Sequence, residues 1–545
     1  MSTFLSKNKT LFHLLSLYCH QKNGTFNQQQ LAALLHISTK QLNRYLKLFQ
    51  QHNWLSYQAG NGRGHLSKIQ WHHNIEKMIV DAMKPHISVM TMMDWEELFA
   101  FPHITDSLAI SLKQLYQQNI TNNIVYNERL IVPIYHPIYN LQPNQVNDAY
   151  SAALLSNITN RLVEADTVGT IIPSLAHHWK MNDQKLRLYL RKNVTFHNGD
   201  LLTAKDVVWC LRQLLHLPLW KPIQEIKIVD MWTIDIILSE SCTYVLYLLT
   251  DIQSSIYKTV DTIIYGTGSF AISTYTANQI VLKAYDNYFG MQALLQTVEL
   301  NLLPKSLNSF FQTNFSTSIH HKKMNIQNGI CAIILNKNTE VCSTKIKRQH
   351  IKNIIHKHLC RFLQSNPSLK NHLREFNSSI PPLGTNENFK IAVSKGKSNL
   401  NQHLVSAFKQ YGYQPQVDTL TLSQYIKYSL QQLHHDVLVY TNVISIPTAF
   451  NKLQAMFSPD SPIYKVCKDD IYFNNLLNQF KCTSKSEWPL LYDALYDYLM
   501  EEAILIPLFT HLDDIPFAHD ILELNFNYLG YIDFSTIWHD KEEFL

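Results

Sequence analysis

Lys40, Asn43, Arg44 and Lys47 fall on one side of a segment whose apolar residues, Leu42, Leu46 and Phe49, fall on the other at helical spacing. Ser38 and Thr39 stand at the start of that segment, and Arg63 and Lys68 follow in and after a glycine-rich tract. Side chains of these types donate hydrogen bonds to base edges and phosphate oxygens, which is the chemistry of duplex DNA recognition. Nothing acidic is nearby to neutralise them. The first 75 residues contain eight Lys or Arg and no Asp or Glu, whereas the other 470 hold 39 basic and 42 acidic residues. Clustered cations of this kind displace the counterions that surround nucleic acid phosphates.

The flanking residues supply elements that could position this chemistry. Asn27-Gln28-Gln29-Gln30 fits a helix start with Asn27 as the cap and Gln30 reaching back, and Leu31, Leu34 and Leu35 follow on one face. His36-Ile37 makes a turn, Ser38-Thr39-Lys40-Gln41 repeats the cap, and a further helix is expected upstream from about Lys9 to His20. Trp54 to Tyr57 and His65 to Ile69 are β-prone runs around the tip Gly60-Asn61-Gly62-Arg63-Gly64. The sum is a winged helix-turn-helix over 1–74, with Ser38, Thr39, Lys40, Asn43, Arg44, Lys47, Arg63 and Lys68 as the expected contacts to double-stranded DNA. The glycines do not form a nucleotide-binding loop, because the spacing is not G-x-G-x-x-G and no helix follows.

The remaining length calls for several domains. Ile75, Met78, Ile79, Ala82 and Met83 form a helical stripe, and Leu108, Leu112 and Leu115 another, so 75–125 is expected to be a helical connector, either a transmitter of conformational change or a passive spacer. The start of the chain lacks an apolar signal core, no stretch is long and apolar enough to span a membrane, and the eight cysteines include no C-x-x-C pair. These features predict a cytoplasmic protein with reduced thiols and no membrane partner. Adjacent histidine pairs such as His72-His73 and His434-His435 lack zinc-site spacing, so neither a metal nor a cofactor is expected. No G-x-S-x-G, H-E-x-x-H or Walker loop occurs, and no enzymatic activity is expected.

From Leu130 the sequence alternates strands and helices. Leu186 to Leu190 reads as a strand, Asn198-Gly199 as a tight turn, and Thr203 with Asp206 as a helix start. The run Leu190 to Val207 (LRKNVTFHNGDLLTAKDV), the run Ile158 to Leu162 leading to Pro173–Trp179, and Gly266-Thr267-Gly268 with Tyr285–Gly290 resemble the signatures of family-5 extracellular solute-binding proteins. With the amino-terminal module and the closing run Leu524–Phe534, the whole chain resembles the SgrR-type transcription regulators of glucose-phosphate stress.

The resemblance implies a two-lobed, type II periplasmic-binding-protein-like α/β body over 126–545, with the first lobe at about 126–330 plus 500–545 and the second at about 331–499. It implies a strand at Ala503–Phe509 returning to the first lobe, and a small-molecule effector bound by Tyr135, His136, Pro137, Tyr440 and Asn442. Peptide-binding relatives carry an acid after the strand that here ends at Asn442, and residues 441 to 458 contain none. An unpaired ammonium in a closed cleft is costly, so a neutral or anionic ligand such as a phosphosugar is favoured. The alternative is an oligopeptide-type solute receptor of an importer. The oligomeric state stays open between monomer and dimer.

Overall fold

In the computed structural model, residues 9–60, 66–89, 98, 101, 103–105, 107, 108, 111, 112, 128–166, 168–261, 263–303, 311–313, 321–366, 369–376, 378–380, 387–394, 398–421, 424, 434–442 and 448–539 are described. The amino-terminal module begins with α1 (Lys9–His20), which buries Phe12, Leu14, Leu15 and Leu17. After β1 (Gly24–Phe26) come α2 (Gln28–Leu34) and α3 (Thr39–Gln51). The Asn27 side chain accepts from the backbone N–H of Gln29 at 2.9 Å and of Gln30 at 3.2 Å, and Ser38 accepts from Gln41 N–H at 3.1 Å. Both caps thus satisfy donors that a helix start leaves unpaired. The reciprocal bonds expected from the Gln30 and Gln41 side chains are not formed among the described residues. His36 turns the chain between the helices with φ at 54°, a left-handed conformation uncommon outside glycine. β2 (Leu55–Gln58) and β3 (Ser67–Trp71) form the wing, with β1 on the far edge of β3.

The stripe predicted as a connector does not run on as a separate element. α4 (Ile75–Met83) buries Ile75, Ile79 and Met83 in the same core as α1 to α3, and Leu98, Leu108 and Leu112 are buried there too. Phe101 meets Phe12 edge-on at 5.2 Å between centroids, Cys19 donates to the His103 carbonyl at 3.3 Å, and Glu76 accepts from Thr105 and Ser107. The expected boundary at 74/75 therefore cuts through one continuous core.

The first lobe holds a five-stranded sheet and a four-stranded one. β4 (Arg129–Ile134) lies in the five-stranded sheet beneath α5 (Ala149–Ile158). The antiparallel four-stranded sheet is built from β5 (Ala176–Asn182), β6 (Lys185–Leu190), β7 (Ile223–Asp230) and β8 (Thr233–Leu238), and α6 (Ala204–Arg212) packs on it. α6 starts at the predicted capping box, with Asp206 accepting from Thr203 N–H at 2.8 Å. β4 pairs in parallel with β9 (Thr297–Leu302).

The second lobe is organised on a six-stranded sheet containing β10 (His321–Leu335), β11 (Glu387–Ser394), β12 (Val437–Asn442) and β13 (Leu505–Ala518). The stretch expected to return to the first lobe, Ala503–Phe509, instead belongs to the second lobe, because β13 is longer than expected and only its far end reaches the first. Its Ile506, Leu508 and Phe509 lie in the second-lobe core, while Ala518 is buried in the first-lobe core beside β4. The antiparallel β10–β13 ladder shifts register between Asn328 and Ile330 and again between Cys331 and Ala332. Such bulges bend a strand pair where it leaves one sheet for another body. A single cut at 330/331 falls inside this ladder.

Candidate DNA-binding surface and interlobe seam

α3 is amphipathic: Leu42, Leu46 and Phe49 are buried, and Lys40, Arg44 and Lys47 are exposed. Thr39, Lys40, Asn43, Arg44 and Lys47 line one shallow groove with Leu48 and Gln51. Among the described residues Lys40, Arg44 and Lys47 carry no ion pair or hydrogen bond, so their donors face solvent. Ser38, expected as a contact, uses its side chain to cap α3. Lys68 is exposed on β3, in register with Gln58 on one side and Thr25 on the other. Arg63 lies outside the described residues.

Asn43 has a different environment from its neighbours on the helix. Its carbonyl oxygen accepts from Gln28 Nε2 at 3.1 Å and from the Tyr57 hydroxyl at 3.1 Å, and its amide nitrogen donates to Gln28 Oε1 at 3.4 Å. Gln28 also bonds to Tyr57. This triangle ties α2, α3 and the wing strand β2 together. Sequence reasoning missed Gln28 and Tyr57, because side chains 15 and 29 residues apart share no local pattern. Asn43 is half-buried, so its chemistry is directed inward more than outward.

In the body, the signature glycines are packing devices. A Cβ on Gly266 would lie 1.8 Å from the Ile158 carbonyl oxygen, and one on Gly268 would lie 2.5 Å from the Asn157 carbonyl oxygen. Only glycine allows this approach, which pins the segment Asn157–Arg161. The turn at Asn198-Gly199 brings His197 against the same loop, with Nε2 3.1 Å from the Gly268 carbonyl. Burial pushes the His197 pKa down to about 4, so the ring is neutral at pH 7 and donates from Nε2.

The expected ligand residues attach to different cores. Tyr135, His136 and Pro137 are half-buried at the end of β4, with the His136 ring 5.1 Å from that of Tyr150 on α5. Tyr440 sits on β12 opposite Ala332 and packs into the large core shared by the four-stranded sheet and the second lobe's helices. Burial and the Asp460 carboxylate raise its phenol to about 12. Asn442 ends β12 opposite Ile330.

Between the lobes the large core is continuous. Tyr244 stacks on Phe480 at 4.6 Å, and Tyr247 meets Trp488 at 4.9 Å and Phe450 at 5.3 Å. Phe450 lies on α7 (Ala449–Phe457). Thr243 donates to the carbonyl of Thr483 at 2.7 Å and Lys485 to that of Gly169 at 2.7 Å, so the aromatic seam is edged by direct bonds. Nor does the seam lack acids. Asp460 follows the acid-free run by two residues, and Asp251, its carboxyl pushed up by burial, accepts from Gln454 on α7. The reasoning from residues 441 to 458 overlooked both, because one lies just beyond the window and the other comes from the opposite lobe.

Among the described residues no helix is long and apolar enough to cross a membrane, and no cluster of three or more His, Cys, Asp or Glu could hold a metal ion. Residues 7–118 match the model of the sugar transport-related sRNA regulator N-terminal region, and residues 170–314 match the middle region of the bacterial extracellular solute-binding proteins, family 5. The HTH-type transcriptional regulator SgrR of Photorhabdus laumondii is 23% identical over an alignment covering 96% of this chain and 97% of that protein. Its Escherichia coli K12 counterpart is 24% identical over 53% of each chain. Among solved structures, Helicobacter pylori DppA in complex with the peptide STSA superposes with a TM-score of 0.61 at 15% identity, over 76% of this chain and 98% of that one. Bacillus subtilis AppA in complex with a nonapeptide gives 0.63 at 14% identity, over 76% and 99%. The chain thus joins a region matching the SgrR amino-terminal model to a type II solute-binding-protein-like body, and it is similar along nearly its whole length to a regulator named SgrR.

Proposed function

We propose that the chain binds double-stranded DNA through α3 and the wing, and that a small molecule held between its two lobes alters that binding. The observation that carries this reading is the row of cations Lys40, Arg44 and Lys47, exposed and without acidic partners on the second helix of a helix-turn-helix. Lys40 and Lys47 contact phosphates and Arg44 reaches base edges, with Thr39 beside them, while Lys68 and Arg63 on the wing contact the backbone of the duplex. The likeness to regulators named SgrR supports the assignment, and with it a cytoplasmic location, where DNA is.

The body acts as the sensor. Its fold matches proteins solved in complex with peptides, and the bulged β10–β13 ladder is suited to bend as the lobes move. A ligand can shift DNA binding only by its differential affinity for the two lobe arrangements. The effector is small and polar, because the seam offers Asp251, Asp460 and Gln454 as well as aromatic rings. A gel-shift titration of the full chain on its own upstream DNA against a scrambled duplex of equal length tests the first half of the proposal. The account expects preferential retention of the upstream duplex, and equal binding to both would contradict it.

A further inference from the structure

Arg161 ends the segment pinned by Gly266 and Gly268, inside the motif run that begins at Ile158. It is 4% exposed, and only Nη2 has a partner, the Glu164 carboxylate at 3.0 Å. Nε and Nη1 are buried and have no hydrogen-bond partner among the described residues. Arg348, equally buried, shows what this fold does with a structural arginine. There Nε donates to the Glu502 carbonyl at 2.8 Å, Nη1 to the Cys342 carbonyl at 3.0 Å, and Nη2 to the Glu502 carboxylate at 3.0 Å. Buried donors are paired in more than about nine cases in ten, and exceptions mark strain or a missing partner.

The surroundings of Arg161 are those of a junction. Asp251 lies within its electrostatic reach and contacts Gln454 of the second lobe. Tyr528, from the carboxy-terminal segment, bonds to Thr448 and Asn451 of the second lobe and lies within electrostatic reach of the same Asp251. Asn160, next in sequence, is held by Thr267 and Tyr288, so the backbone that carries Arg161 is fixed from two sides. Both lobes and the carboxy-terminal segment converge here.

We propose that Arg161 anchors an oxyanion position in the interlobe seam, taking an oxygen of the carboxylate or phosphate group of the small-molecule effector on an unpaired guanidinium nitrogen. A charge-assisted bond from a guanidinium to such a group is short and strong. The proposal rests on the sensor reading given above and adds the chemical class of the ligand and the residue that selects it. Asp251 then stands where it can meet a hydroxyl or ammonium elsewhere on the same ligand.

The test is thermal unfolding of the full chain carrying Lys40→Ala, Arg44→Ala and Lys47→Ala, which removes the competing cationic surface, titrated with inorganic phosphate and separately with succinate at constant ionic strength. The expected result is a saturable rise in the unfolding midpoint with one of the two anions, and that arm identifies the group. In the same background Arg161→Gln needs at least tenfold more anion for the same rise, matching the loss of a charge-assisted bond. Arg161→Lys, which keeps the charge and the Glu164 pair but loses the other guanidinium donors, weakens the response too and covers the case in which Arg161→Gln does not fold. Arg161→Met has a higher midpoint than the parent without anion, because the two orphan donors are gone. No saturable rise with either anion, or an undiminished rise in Arg161→Gln or Arg161→Lys, overturns the proposal. Neither outcome touches the sensor reading, which stands or falls on whether the body makes DNA binding responsive.

Discussion

Arg44→Ala separates sequence reading from phosphate attraction. Arg44 is exposed on α3 and has no hydrogen-bond or ion-pair partner among the described residues, so its loss removes nothing that holds the module together. Fold stability should change by no more than about 0.5 kcal/mol, the usual range for a surface position without special contacts. Any larger effect on binding then belongs to the interface. A bidentate arginine-to-guanine contact is worth about 1–3 kcal/mol, or roughly 5- to 150-fold in affinity for the cognate duplex. A phosphate contact instead weakens all duplexes alike and lowers the slope of log K against log salt by about 0.9. Gel shifts on cognate and scrambled duplexes between about 50 and 200 mM salt distinguish these cases. The account predicts cognate-specific weakening with the slope nearly unchanged. A uniform loss with a flattened slope would make Arg44 a phosphate contact, and unchanged binding would remove it from the surface.

Asn43→Ala should behave oppositely: it strands Gln28 and Tyr57 and lowers the unfolding free energy of the module by about 1–3 kcal/mol, with sequence preference retained, as urea melts and gel shifts would show. Relaxed preference at unchanged stability would return Asn43 to base reading. His197→Gln tests the buried contact between His197 and the Gly268 carbonyl. Because burial lowers the folded pKa to about 4 from the ordinary 6.5, stability is full above 6.5 and is lost as pH falls toward 4, by about 3 kcal/mol at 1.36 kcal/mol per unit. The variant should show a flatter acid limb over that window, and an unaltered limb would refute the link. Gly266→Ala places a Cβ within 1.8 Å of a carbonyl oxygen and should destabilise the body by about 3 kcal/mol or more, measured as a fall in thermal midpoint.

The winged helix was legible because its signals are local. Asn27 and Ser38 announce their helices, the leucine stripes mark the buried face, and the absence of acids leaves the cations available. The boundary at residue 74 was not legible. A stripe such as Ile75, Ile79 and Met83 says that a helix face is buried but not against what, and here it closes the back of the same module. For this reason a fragment ending near residue 75 would lose the core contributions of α4, Leu98, Leu108 and Leu112, whereas one ending near 118 keeps them. The two lobes were read from signature runs, and those runs prove to carry packing, with glycines admitting a backbone contact and His197 bridging to it. What escaped was everything that depends on long-range closure. The aromatic seam joins Tyr244 and Tyr247 to Phe450, Phe480 and Trp488 more than 200 residues later, and no periodicity connects them.

Coupling of the body to DNA binding is tested most directly by one gel-shift titration. The full chain and a fragment of residues 1–118 are compared on the chain's own upstream duplex, each with and without the low-molecular-mass fraction of a host-cell extract. The account predicts that the fraction changes the apparent Kd of the full chain by about 5- to 150-fold, the span of ordinary allosteric coupling, and leaves the fragment unchanged. An equal response of both proteins, or of neither, would contradict the assignment of the two-lobed body as the sensor.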